Sequence, residues 1–190
     1  MQEVIYLAAI LASVFMGISI GASTVASAFG PVNSARSANV LRSALLAGFF
    51  ALLGAITQGA NVTETVGSGI IGGEIQMIQA ALILFVAAAL VIISVLGDYP
   101  MPTAFTVIGA VIGSGLAFGN TLNISGITRI IGYWLLIPFL SVALSFFIAK
   151  LLRKYVSKEN SETEIKILLL LTGSYVAYSA GASAVGLAVG

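Results

Sequence analysis

Six apolar runs of membrane-spanning length divide this chain, at about 4–22, 40–58, 76–97, 103–119, 130–152 and 165–185. In hydrocarbon every backbone N–H and C=O must bond within the protein, which leaves only helices and closed barrels. Runs near 20 residues, without the alternation of barrel strands, select helices. The composition agrees: 59% of the 190 residues are hydrophobic and 8% charged, against roughly 25% charged in a soluble domain. The expected fold is an all-α integral membrane protein with about six membrane segments. The fourth run begins after Pro-Met-Pro and is short, so it either crosses fully or re-enters as a hairpin.

The polar residues exclude several classes. Cysteine and histidine are absent, which removes disulfides, thiolate metal sites and the usual proton relay. No nucleophile–base pair, metal cluster or phosphate-binding loop is present, so no enzyme is expected. A net charge of +1 without a basic groove points away from nucleic acid. The start, MQEVIYLAAILASVFMG, has an acidic flank and a long apolar run, and is expected to be a retained span.

Charge also orients the chain. The basic residues are Arg36, Arg42, Arg129, Lys150, Arg153, Lys154, Lys158 and Lys166. With six crossings and the N-terminus outside, all but Arg129 fall in cytoplasmic segments, the bias of the positive-inside rule. A re-entrant fourth run weakens that bias. Two Asn-x-Ser/Thr triplets, at Asn61 and Asn123, are compatible with an outer location. The organisation expected is a first membrane repeat over 1–152, a charged cytoplasmic linker over 153–164, and the start of a second, inverted repeat over 165–190.

The repeat is visible directly. Residues 10–30, ILASVFMGISIGASTVASAFG, align with 170–190, LLTGSYVAYSAGASAVGLAVG, with eight identities in 21 positions. Five crossings separate the copies, so the second enters from the opposite face, as in many secondary transporters. In such folds small-residue segments break their helices near the midplane and expose backbone groups to substrate. The alternative use of these small residues is helix packing, as at Gly17 and Gly21.

Ser23 and Ser183 coincide across the repeat, with Thr24 beside the first. Their hydroxyls and nearby N–H groups can donate to an oxyanion, or they can bond carbonyls of their own helix. Ser27 is weaker, since its counterpart is Leu187. Pro100 and Pro102 interrupt the helix before Thr103 and Thr106, which can create a helix N-terminus aimed at an anion or leave Thr103 as an ordinary cap. Arg36 and Arg42 mark the cytoplasmic side, and Tyr133-Trp134 reads as an interface anchor.

Five landmarks in order resemble the inorganic phosphate transporter (PiT) family of secondary anion permeases. They are GASTVASAFG, QGANVTETVGSGI, PMPTAFTVIGAVIG, the basic stretch KLLRKYVSKE, and GASAVGLAVG. The resemblance implies a phosphate permease with Ser23, Thr24, Ser183, Thr103 and Thr106 at the substrate. It implies Glu64, and more weakly Ser27, as contacts of a coupling ion, Na+ or H+, and no other cofactor. It further implies a plasma-membrane location and a second half beyond Gly190, and it leaves room for a homodimer.

Departures from the family pattern matter. The Asn-Asp pair after Gly-Ala is Ser23-Thr24 in one copy and Ser183-Ala184 in the other. A Glu usual in the second span is Ala51, and the His of the third landmark is Phe105. Intramembrane carboxylates are costly and usually functional, so their loss implies altered coupling. The alternatives are a permease for sulfate or another oxyanion, and a transport-inactive scaffold or receptor-like protein.

Overall fold

The structure, a computed structural model, describes all residues except Met1, Glu74, Pro100, 156–160 and Gly190; the side chains of 61–68, 155, 161 and 185–189 are likewise outside the description. Among the described residues the helices are α1 (Gln2–Ser34), α2 (Val40–Ile70), α3 (Met77–Leu96), α4 (Thr103–Phe118), α5 (Ile124–Tyr155) and α6 (Ser161–Val189). Each expected run lies in its own helix. Five are long and apolar enough to cross a membrane. The sixth, α4, has 16 residues and spans about 24 Å at 1.5 Å per residue.

Helix ends follow local chemistry. Asn39 caps α2, its Oδ1 accepting from Arg42 N–H at 2.9 Å. Gly119 ends α4 in the left-handed region at φ 73°, the conformation that favours glycine at a helix C-terminus. The Asn123 side chain accepts from Ser125 Oγ at 2.7 Å and Gly126 N–H at 3.1 Å at the start of α5. A helix start is therefore the local role of that Asn-x-Ser triplet. The side chain of Asn61, in the other triplet, lies outside the described residues.

A short β pair, which no sequence pattern announces, closes one end of the bundle. Residues 71–72 (β1) and 121–122 (β2) pair antiparallel, Ile71 with Leu122 and Gly72 with Thr121. Behind them Gln79, 1% exposed, donates through Nε2 to Asn120 Oδ1 at 2.9 Å and Ser114 Oγ at 3.3 Å. The end of α2, the start of α3, the end of α4 and the start of α5 are thus tied at one level. It follows that α3 and α4 form an antiparallel hairpin.

Side-chain contacts fix the other directions. Phe15 meets Phe85 with ring centroids 5.8 Å apart, and Ser19 Oγ reaches Ala88 O at 3.2 Å, so α1 and α3 run parallel. Across the α1–α2 turn, Ser43 Oγ donates to Asn33 Oδ1 at 2.6 Å. At that turn α6 begins its contact: a Cβ on Gly173 would lie 2.9 Å from Ala28 O. Further along, Gly181 sits against the Ala51 backbone and Gly54 against Tyr178 O and Ala182 N. Hence α6 runs parallel to α2 and antiparallel to α1.

The core has two centres. One joins Ala12 and Met16 of α1 to Ile83, Leu84, Ala87 and Ala88 of α3 and Val107 and Val111 of α4. The other joins Ala28, Phe29 and Val32 of α1 to Ala47 of α2 and Ala177 of α6. Helix α5 stands apart, with every residue from 135 to 150 exposed. Trp134 is its anchor on the bundle, 4.1 Å from the Phe105 ring of α4.

Gly181→Val is expected to destabilise the protein by about 3 kcal/mol, the upper range for overpacking, because backbone cannot yield as a side chain does. Gly21→Val is the matched control, since a Cβ at Gly21 meets nothing within 4 Å. Thermal unfolding midpoints in detergent measure the contrast.

Candidate functional site

The two signature copies occupy continuous helix. α1 runs unbroken through Gly21–Gly30 and α6 through Gly181–Val189, which corrects the expected helix breaks. The physical reason is local. A helical glycine costs only about 1 kcal/mol relative to alanine, and the serines bond back to their own turns. Ser23 Oγ donates to Ile20 O at 3.0 Å, and Ser27 Oγ to Thr24 O at 3.0 Å. Ser183 Oγ donates to Ser179 O at 3.0 Å or Ala180 O at 3.1 Å.

These bonds settle how the hydroxyls point. A hydroxyl has one proton and two lone pairs. In this conformation the protons of Ser23, Ser27 and Ser183 go to backbone carbonyls, and each oxygen keeps its acceptor sites. Donation to an anion requires the O–H to turn away from its carbonyl about the Cβ–Oγ bond. Ser23 and Thr24 are half-buried, and Ser27 and Ser183 exposed.

The copies differ in what their glycines do. Gly17, Gly21 and Gly30 have open space where a Cβ would stand, whereas Gly181 lies on the Ala51 backbone. Packing therefore accounts for glycine in the second copy, and helix packing at Gly17 and Gly21 is not found among the described residues. Gly181 also gives the position of Ala51 a meaning: a larger residue there would face the same close seam.

Depth can be read from the contacts. With Ser19 beside Ala88, the end of α3 at Leu96 falls near the level of Ser27 on α1. The start of α4 at Thr103 follows close by. With Gly173 beside Ala28 and Val32 on an antiparallel helix, Ser183 stands within about one turn of Ser23 in depth. Among the described residues no hydrogen bond joins Ser23 to Ser183.

The threonines of α4 divide. Its N-cap is Pro102, with no side-chain cap bond, so Thr103 is the first helical residue and not the cap. Thr106 is 6% exposed and its Oγ1 donates to Thr103 O at 2.7 Å. Phe105 N–H is held by Pro102 O at 3.1 Å, so what α4 can offer an anion is the N–H groups at its very start, those of Thr103 and Ala104. The backbone at Glu64 belongs to α2, while its side chain, and those of Val185 to Val189, lie outside the described residues.

Sequence reasoning missed one cluster. Thr57 Oγ1 and Tyr178 Oη are 2.8 Å apart, and Gln58 Nε2 donates to the same phenol at 3.1 Å. The available signal was an amide, a hydroxyl and a phenol inside otherwise apolar spans. A groove of about 1170 Å³ between the starts of α1 and α3, lined in part by Glu3, Tyr6 and Gln76, contains none of the signature residues.

Six apolar helices, with two copies of one small-residue segment on antiparallel members, define a multi-pass membrane protein built on an inverted repeat. Known proteins make the assignment narrower. The sequence pattern of the phosphate transporter family matches residues 20–167, and the chain belongs to that family.

The sulfate permease CysP of Bacillus subtilis (strain 168) is 34% identical over 97% of this chain and 53% of its own length. A putative phosphate permease of Mycobacterium tuberculosis, MT2339, is 25% identical over 87% of this chain and 33% of its own. A solved sodium-dependent phosphate transporter superposes with a TM-score of 0.75 at 25% identity, over 94% of this chain and 55% of that one. The chain spans about half the length of CysP and of the solved transporter.

Replacing Ser23 and Ser183 together by Ala is expected to abolish anion transport while leaving membrane insertion and the unfolding midpoint within error. Full uptake by the folded double variant would remove both from the site.

Proposed function

We propose that this chain forms part of a secondary permease that moves inorganic phosphate across the plasma membrane, with its N-terminus outside. The observation that carries this reading is the family match over 20–167 on a fold in which the two signature copies run antiparallel. Several relatives are named for phosphate, and the solved transporter is named as sodium-dependent, which favours Na+ over H+ as coupling ion. Ser23, Thr24 and Ser183, with the first turn of α4 at Thr103 and Thr106, are the proposed substrate contacts. Glu64 and Ser27 are the proposed cation contacts. No chemical reaction is assigned to the protein.

Sulfate is a second reading with its own support. The relative at 34% identity over nearly the whole chain is a sulfate permease, while the phosphate-named relatives reach 25–28%. The chemistry is consistent with it. Sulfate near neutral pH carries no proton, whereas phosphate carries one or two and gains from a carboxylate acceptor. Both signature copies lack the carboxylate that resembling proteins carry there.

The full-length protein in proteoliposomes, under imposed Na+, H+ or no gradient, is expected to accumulate radiolabelled phosphate only with a Na+ gradient. Sulfate uptake that excess phosphate fails to suppress would select the second reading. No uptake of either anion by folded protein would leave the transport-inactive scaffold.

A further inference from the structure

Beyond the signature segments, α2 and α6 share a polar cluster at membrane depth. Thr57 and Gln58 fall in the candidate span 40–60 and Tyr178 in the span 162–184. Besides its 2.8 Å approach to Tyr178, Thr57 Oγ1 donates to Leu53 O, also at 2.8 Å. A hydroxyl has one proton. With the Thr57 proton on the backbone, the phenol donates to Thr57 and accepts from Gln58. Donation therefore runs from Gln58 to Tyr178 to Thr57 and ends on the carbonyl of Leu53.

The surroundings restrict what this chain of donors faces. Thr57 and Gln58 are exposed. A primary amide turned toward hydrocarbon is costly, so the face that carries Gln58 is turned to water or polar protein. Gly54 lies against the carbonyl of Tyr178, which fixes that turn of α6 on α2 and holds the phenol at the head of the cluster.

We propose that Gln58 and Tyr178 form a neutral hydrogen-bonding subsite for a tetrahedral oxyanion on the transport path. The proposal rests on the permease reading above and adds residues outside both signatures. Gln58 carries a second N–H in addition to the one on Tyr178. An arriving anion takes that N–H and competes with Thr57 for the phenol proton. When the phenol turns to the anion, Thr57 keeps its bond to Leu53 O, so the exchange strands no donor. Two neutral donors hold an anion without the strong charge pairing that would slow its release.

Phosphate and sulfate share this acceptor geometry, and the test separates them. Initial uptake rates of each are measured with the full-length protein in proteoliposomes, alongside unfolding midpoints. Tyr178→Phe keeps the ring and loses the hydroxyl; it is expected to raise KM for the transported anion about tenfold, the scale of one hydrogen bond to a charged group. Vmax and the midpoint should hold. Gln58→Glu keeps the size but replaces the amide that donates to the phenol by a charged acceptor, and is expected to abolish uptake in folded protein.

If the cluster only clasps α2 to α6, Tyr178→Phe lowers the midpoint with KM unchanged and Gln58→Glu transports normally. Either result overturns the proposal. A wild-type protein that moves neither anion overturns the permease reading itself, and the subsite with it.

Discussion

The backbone seam between α2 and α6 organises this molecule. Gly54 lies against Tyr178 O and Gly181 against the backbone of Ala51, an approach that any Cβ would block. In a bilayer, helices gain little from hiding apolar side chains, because lipid tails are equally apolar. Close packing and interhelical hydrogen bonds hold them instead. The seam lets Tyr178 reach Thr57 and Gln58, and it seats the second signature against the first repeat. From that placement follows the antiparallel relation of α1 and α6, and with it the common depth of Ser23 and Ser183.

The chemistry available at that depth is neutral. Ser23, Ser27 and Ser183 spend their protons on their own helices, so the surface offers oxygen lone pairs and the N–H groups of Thr103 and Ala104 at the start of α4. An arrangement of this kind suits a permease, which must bind its anion and then release it. Each hydroxyl can leave a carbonyl and return to it with small net change in hydrogen bonding. The opposite end, with the β1–β2 pair and buried Gln79, is fastened through backbone and amide bonds and has no comparable exchange.

Much of this architecture is legible in the sequence because lipid imposes a simple rule. All six apolar runs became helices, and Pro100 and Pro102 marked the α3–α4 junction. The repeated G-A-S-x-V segment foretold a second copy of opposite direction. Helix breaks at the signatures were not borne out, since glycine weakens a helix far less than proline and serine can satisfy a neighbouring carbonyl. The two-residue β pair was invisible because it depends on where two distant loops meet. Tyr178 and Gln58 escaped notice because their meaning comes from a contact 120 residues apart in sequence. The contact of Trp134 with the ring of Phe105 was likewise not announced by sequence position.

The central claim is that Ser23 and Ser183 face one water-filled anion path from opposite helices. This chain has no cysteine, so single cysteines at 23, 183 and the exposed position 144 of α5 can be introduced into the full-length protein after any cysteine elsewhere in it has been replaced. Labelling by a membrane-impermeant thiol reagent, with and without phosphate or sulfate, is the direct measurement. Positions 23 and 183 are expected to label, the transported anion to slow both, and position 144 to stay unlabelled. Labelling at 23 and 183 that neither anion alters, or no labelling at either, would contradict the claim.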